Sequence, residues 1–129
     1  MAKDDRLKLA LASVKITLLA QQRERCAYCG RRKDQYTGLD FHHVLFREGR
    51  ARTVEQKLAL LSPINGRLVC HTCHVPEKPD LNVVCCKRLI EQFGTGEIEK
   101  WVAELPIQDK SLLDAYEQAK GELDVAIIP

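Results

Sequence analysis

The sequence predicts an α+β fold, in which a small core of short strands is gathered by cysteine pairs and flanked by N-terminal and C-terminal helices. Three observations carry this expectation. Two CxxC pairs, Cys26/Cys29 and Cys70/Cys73, bracket the middle of the chain. Apolar residues recur at helical spacing before the first pair and again after the second. Between the pairs, short apolar runs near the turn-forming dipeptides Thr37-Gly38 and Asn65-Gly66 read as strands. At 129 residues the chain suits one domain and is too short for two independent cores. It divides into an N-terminal helix over residues 1–25, a core over 26–93 and a helical extension over 94–129.

Taken in order, Leu7, Leu11, Val14 and Leu18 recur at helical spacing from Asp5 to about Arg25, with Ala10 and Leu19 widening the stripe. Asp4 and Asp5 at the start, and Arg23 and Arg25 at the end, match the helix dipole. Cys26 to Gly30 is the first knuckle, where Gly30 supplies the positive φ that such a turn needs. Leu39 to Phe46 reads as a strand or hairpin arm. A strand sends adjacent residues to opposite faces, so a bend or loop is expected at His42-His43 if both are to serve one site. Thr53 is a cap candidate for a helix to Leu61, and Ser62-Pro63 breaks it. Asn65-Gly66 followed by Arg67-Leu68-Val69 suggests a hairpin leading into the second knuckle.

Pro76 and Pro79 delay the next helix, expected over Val83 to Phe93 and stopped by Gly94. Glu97 to Leu105 follows, with Ile98, Trp101, Val102 and Leu105 on one face, making Trp101 a core anchor. Ser111 and Asp114 resemble a capping box for a last helix bearing Leu112, Leu113, Tyr116 and Leu123. Cys85 and Cys86 lack CxxC spacing, and Val83-Val84 beside them suggests a helix face, so they read as buried thiols.

Hydrophobic residues are 45% and charged residues 29% of the chain, a folded rather than a disordered composition. No run approaches the ~20 apolar residues of a membrane span, so no membrane partner is expected. Residues 1–25 interleave Lys8, Lys15 and Arg23 with the apolar positions and lack a signal-peptide pattern. Paired CxxC knuckles without such a signal point to metal in a reducing, cytoplasmic compartment rather than to disulfides.

The net charge of +2 conceals an asymmetry. Residues 1–75 hold 14 Lys/Arg against 7 Asp/Glu, or +7, and residues 76–129 hold 6 against 11, or −5. The basic half carries the knuckles and the histidines, as expected of a surface that meets nucleic acid. Arg31, Arg32, Lys33, Arg47, Arg50, Arg52 and Arg67 are its phosphate-contact candidates, and the segment 31–67 is the expected DNA-binding region.

Four thiolates in two knuckles suit tetrahedral Zn²⁺, so Cys26, Cys29, Cys70 and Cys73 are assigned to a structural zinc. Zinc alone does not require the His42-His43 pair, Asn65 or His74. These residues suit phosphodiester hydrolysis. The attacking water must lose a proton, and a positive group must hold the phosphate and the leaving oxygen. A neutral histidine beside a metal meets both needs, so one member of the pair can ligate while the other deprotonates.

The run of CxxC, an acidic residue near a His pair, Asn and CxxCH over residues 26–74 resembles the HNH endonuclease family, the ββα-metal nucleases. The resemblance implies that His43 is the general base and that His42 and His74 hold a catalytic divalent metal, Mg²⁺, Mn²⁺ or another. Asn65 takes the family's middle position, where it ligates metal or braces the loop carrying the base. Its alternative is a simple Asn-Gly turn. Val44-Leu45-Phe46 stands where many relatives have a proline, and no diagnostic motif lies beyond residue 75. Asp40 orients His43 or a metal-bound water, or is a plain strand-end acid.

The expected function is therefore a metal-dependent DNA endonuclease or nickase. Its partners are DNA and, as for relatives in phage and bacterial genomes, other DNA-processing proteins of the phage or host. A non-catalytic zinc-stapled nucleic-acid-binding module is the alternative. A zinc-built protein-interaction adaptor is the third, supported only by the acidic tail.

Overall fold

The computed structural model describes residues 2–32, 38–111 and 114–127, with side chains for 5–32, 38–111 and 114–124. Lys33, Thr37, Leu112, Leu113 and the side chain of Asp4 lie outside the described residues. The described elements are six α-helices and a two-stranded antiparallel sheet, an α+β arrangement.

Helix α1 (Ala2–Gln21) buries Val14 and Leu18 and packs Leu11 and Leu19 against the same core. It ends before the expected Arg25, and Arg23 and Arg25 lie beyond its last turn. The cause is tertiary. The Gln22 side chain donates to Leu68 O at 2.9 Å and accepts from Leu68 N at 2.8 Å, acting as a short extra strand against the sheet. Arg23 and Glu24 then take left-handed φ angles of 53° and 58° to turn the chain into the first knuckle.

Strand β1 (Leu39–His43) pairs with β2 (Gly66–Cys70) in a register that sets His42 opposite Arg67 and His43 opposite Gly66. The strand is shorter than the expected Leu39–Phe46, and no bend occurs at the histidine pair, because both residues sit in the ladder. Residues 44–65 connect the strands, so Asn65-Gly66 is not the turn of a tight hairpin. Instead Asn65 ends a 3₁₀ turn at Pro63–Asn65 that Ser62 caps. Gly66 has an extended φ of −138°. A Cβ there would stand 2.3 Å from the Phe41 ring, so glycine is required by close approach rather than by a turn.

Within the connection, α2 (Val54–Leu60) begins with Thr53 in a reciprocal capping box with Gln56, in keeping with the cap that the sequence predicts. Cys70 caps the one-turn helix α3 (His71–His74). Helices α4 (Leu81–Phe93), α5 (Thr95–Glu104) and α6 (Asp114–Ile127) complete the chain, with α4 packed on α5 and α6. Gly94 stops α4 with a φ of 83°.

The core gathers Leu18, Val44-Leu45-Phe46, Leu60, Leu68, Leu89, Ile98 and Tyr116 into one cluster. Trp101 packs against its edge, with its ring 6.2 Å from Phe46. Cys85 and Cys86 are fully buried on α4, and burial raises both thiols to about 12, which keeps them protonated packing residues. Among the described residues no helix is long and apolar enough to cross a membrane.

Candidate functional site

The two knuckles converge. Cys26, Cys29, Cys70 and Cys73 bring their sulfurs within 4.8 Å of one another, a group able to hold a metal ion. Gly30 closes the first knuckle at φ 77°, and its N–H reaches Cys26 O at 3.0 Å. The Cys26 sulfur accepts from the backbone N–H groups of Tyr28 and Cys29 at 3.4 Å and of Cys70 at 3.3 Å. Burial raises the Cys26 thiol, and these bonds oppose it by favouring the thiolate.

The donor set fits zinc. A Zn–S bond of ~2.3 Å in a tetrahedron implies sulfurs about 3.8 Å apart. The Cys29–Cys70 and Cys70–Cys73 pairs stand at 3.7 and 3.4 Å, far beyond a disulfide bond. Burial opposes ionisation of Cys29, but hydrogen bonds from the Arg31 side chain and backbone outweigh it and bring the thiol down to about 6. Arg31 Nε lies 3.5 Å from that sulfur and its guanidinium also reaches Thr72.

Beside the cysteines, α3 and the start of α4 present polar groups to one face of β1. Alternation along the strand points Asp40 and His42 to this face. Asp40 Oδ2 accepts from Nδ1 of His74 at 3.0 Å and of His71 at 3.1 Å. Burial would raise its carboxyl, but these two histidines hold it below the usual carboxylate range. Asp40 therefore serves His74 and His71 rather than orienting His43. The His42 ring meets the His74 ring edge-on, with centroids 5.2 Å apart. His42 Nε2 donates to Asn82 Oδ1 at 2.6 Å.

His43 projects to the opposite face, 5.0 Å from the Phe41 ring. It lines a cleft of about 480 Å³ with Lys8, Lys15, Asp40, Glu48 and Lys57. Burial lowers the pKa of both His42 and His43, favouring neutral imidazoles. The adjacent pair is thus divided by the strand between two surroundings.

Asn65 is fully buried and spends its whole carboxamide on backbone. Oδ1 accepts from Leu45 N and Phe46 N, both at 2.9 Å, and Nδ2 donates to Phe46 O at 3.1 Å and Leu60 O at 3.0 Å. It braces the segment that follows His43 and has no lone pair directed at His42 or His74.

The basic segment is less available than its charge suggests. Arg67, a phosphate-contact candidate, is 2% exposed and lies beneath α4, so it does not belong to an outer phosphate-binding surface. Arg47 makes two bonds to Glu77 at 3.2 and 2.9 Å. Arg50 binds Asp109 Oδ2 at 3.1 Å and Ser111 O at 3.0 Å. Arg31, Arg32 and Arg52 are exposed.

Sequence reasoning missed His71, Asn82, Glu77 and the lysines of the His43 cleft, since these come together only through packing. Among the described residues, the cysteines are the only His/Cys/Asp/Glu group whose ligand atoms crowd together; His42 and His74 form a pair and not such a group. Comparison with known proteins finds no matching family model, no matching curated protein and no matching solved structure.

Proposed function

We propose that the chain is a metal-dependent DNA endonuclease or nickase of the HNH, ββα-metal type, with a structural zinc in the four-cysteine cluster. The observation that carries this reading is the His42–His74 pair. Each ring already has one nitrogen committed to an outer acceptor, Asn82 Oδ1 for His42 and Asp40 Oδ2 for His74. Because neither acceptor can donate through those oxygens, the committed nitrogens carry the protons, and in the neutral ring the other nitrogen is the one with a lone pair. That is how the outer partners of metal-binding histidines fix the tautomer.

His42 and His74 would hold the divalent cation, Mg²⁺, Mn²⁺ or another. When bound, such an ion supplies positive charge to the phosphate and the leaving oxygen. The four cysteines would supply all four ligands of a zinc ion, which would leave it no position for substrate and make it a staple of the fold. His43, neutral and half-buried, accepts the proton of the attacking water. Lys8, Lys15 and Lys57 stand around it as phosphate contacts. Asn65 holds the loop behind the base in place. A phosphodiester that reaches both histidine faces lies across the end of β1, where the ladder stops at His43.

The division of His42 and His43 between opposite faces favours a second reading, a zinc-stapled module that binds nucleic acid without cutting it. Incubation with supercoiled plasmid, with and without Mg²⁺, Mn²⁺ or Ni²⁺, separates the two. Metal-dependent nicked or linear product is expected. Retained DNA binding with no product under any metal selects the binding module.

A further inference from the structure

A second cavity, of about 420 Å³, lies on the far side of the first knuckle, between the end of α1 and the C-terminal half of α4. It shares no histidine with the candidate site. Among the described residues no Asp or Glu lines it, whereas Arg25, Arg67 and Arg88 all do, and Cys26 and Cys29 of the cysteine cluster form one wall. The unusual member is Arg67. Its guanidinium is almost completely buried, and its hydrogen bonds go to neutral acceptors, Gly66 O at 3.3 Å and Gln92 Oε1. The Phe93 ring lies 5.9 Å from its central carbon.

A buried cation without a counter-charge is unfavourable, and proteins place one where an anion arrives or where a pair completes it. Among the described residues no carboxylate bonds to Arg67. The thiolates of Cys26 and Cys29, which line the same cavity, are the competing counter-charge, but Arg31 and not Arg67 hydrogen-bonds a cluster sulfur. Two of the five guanidinium N–H groups of Arg67 are used, which leaves donors in the fork geometry that grips a tetrahedral oxyanion. Gln92 turns its oxygen to Arg67, so its amide nitrogen is a further donor. Arg25 bonds Gly30 O at 3.1 Å and Arg88 bonds Glu91 at 3.1 Å, each using one guanidinium nitrogen and keeping others for a ligand.

We propose that this cavity is a phosphate-binding site, in which Arg67 grips the oxyanion from below and Arg25 and Arg88 close over it. Its phosphate comes either free or as a group carried by a nucleic-acid strand, and the recognition chemistry is the same for both. The inference does not depend on the nuclease reading, since it uses none of the histidines or their metal.

The test is calorimetric titration of the zinc-loaded chain with inorganic phosphate at fixed ionic strength, chloride serving as the control anion. Saturable uptake of one phosphate per chain is expected. Arg67→Met keeps the volume of the side chain and removes its charge, and should weaken that uptake at least tenfold. Should this variant fail to fold, Arg25→Glu combined with Arg88→Glu alters only the exposed rim and should produce the same loss. Oligonucleotides with and without a 5′-phosphate identify the source: a strand that competes with inorganic phosphate, its binding lost in the rim variant, assigns it to nucleic acid, and failure of both strands to compete assigns it to free phosphate. No saturable phosphate uptake by the wild-type chain, or undiminished uptake by the folded variants, overturns the proposal.

Discussion

Asn65 and Phe46 exchange two hydrogen bonds, Phe46 N to Asn65 Oδ1 at 2.9 Å and Asn65 Nδ2 to Phe46 O at 3.1 Å. A side chain thus pairs with a backbone residue as one strand pairs with another. The same carboxamide also ties down Leu45 N and Leu60 O. The connection between β1 and β2 is thereby fixed at its deepest point, directly behind His43.

Asn65→Asp should test this brace most sharply, because the shape is kept while both donated bonds are lost and a buried acid faces two carbonyls. Leaving buried backbone acceptors unsatisfied costs ~1 to 3 kcal/mol each, so a loss of about 3 kcal/mol or more is expected. Chemical denaturation measures it. A variant with wild-type stability would show that the carboxamide is not what holds residues 44–46.

Removing metal from the cysteine cluster should unfold the middle of the chain, since binding energy at such a site appears as folding energy. One zinc per chain is expected by elemental analysis, with loss of native melting on chelation or in Cys70→Ser. Cys86→Ala is the control. Its thiol lies outside the cluster, so zinc content should be unchanged while a small cavity lowers the melting temperature.

The three histidines should fail differently. His43→Ala removes the proposed proton acceptor and should reduce cleavage ~10²- to 10⁴-fold while DNA still binds. His42→Ala and His74→Ala should instead raise the metal concentration needed for cleavage, with zinc retained in all three. Burial holds His43 below its ordinary value of 6.5. It is therefore neutral in the folded and unfolded chains above that pH, and its contribution to stability is fully present there. As pH falls below 6.5 the unfolded chain takes up the proton first, so stability declines until pH passes the lower folded value. The acid limb of the cleavage profile should accordingly lie below pH 6.5. Wild-type cleavage by His43→Ala would remove His43 from the mechanism.

Glu77 occupies Arg47 with two hydrogen bonds. Releasing that arginine should strengthen contact with a polyanion. Glu77→Gln is expected to raise DNA affinity several-fold and to steepen its dependence on salt by about one phosphate contact. Fluorescence anisotropy across a salt series reads both quantities. An unchanged slope would place Arg47 outside the DNA-binding surface.

Much of the fold is legible in the order of residues alone. Local chemistry suffices for the knuckles, because CxxC spacing and Gly30 depend on neighbouring residues. The same holds for the Thr53 cap, the stop at Gly94 and the apolar faces of the helices. The end of α1 is not legible in this way. The helix is expected to run to about Arg25, but the Gln22 amide finds Leu68 on β2, a partner remote in sequence, and the chain turns there.

The candidate site divides in the same way. That His42, His43, Asn65 and His74 are site candidates between and beside the cysteine pairs is an expectation read from the sequence alone, through residue type, spacing and the family resemblance. Which face each histidine takes, and what each touches, was decided by tertiary structure. The unbroken β1–β2 ladder separates His42 from His43, and α3 and α4 then bring His74 and Asn82 to only one of them. The burial of Arg67 has the same origin. Its charge is written in the chain, but whether that charge meets solvent depends on α4 packing over β2, and long-range packing leaves no mark in local sequence.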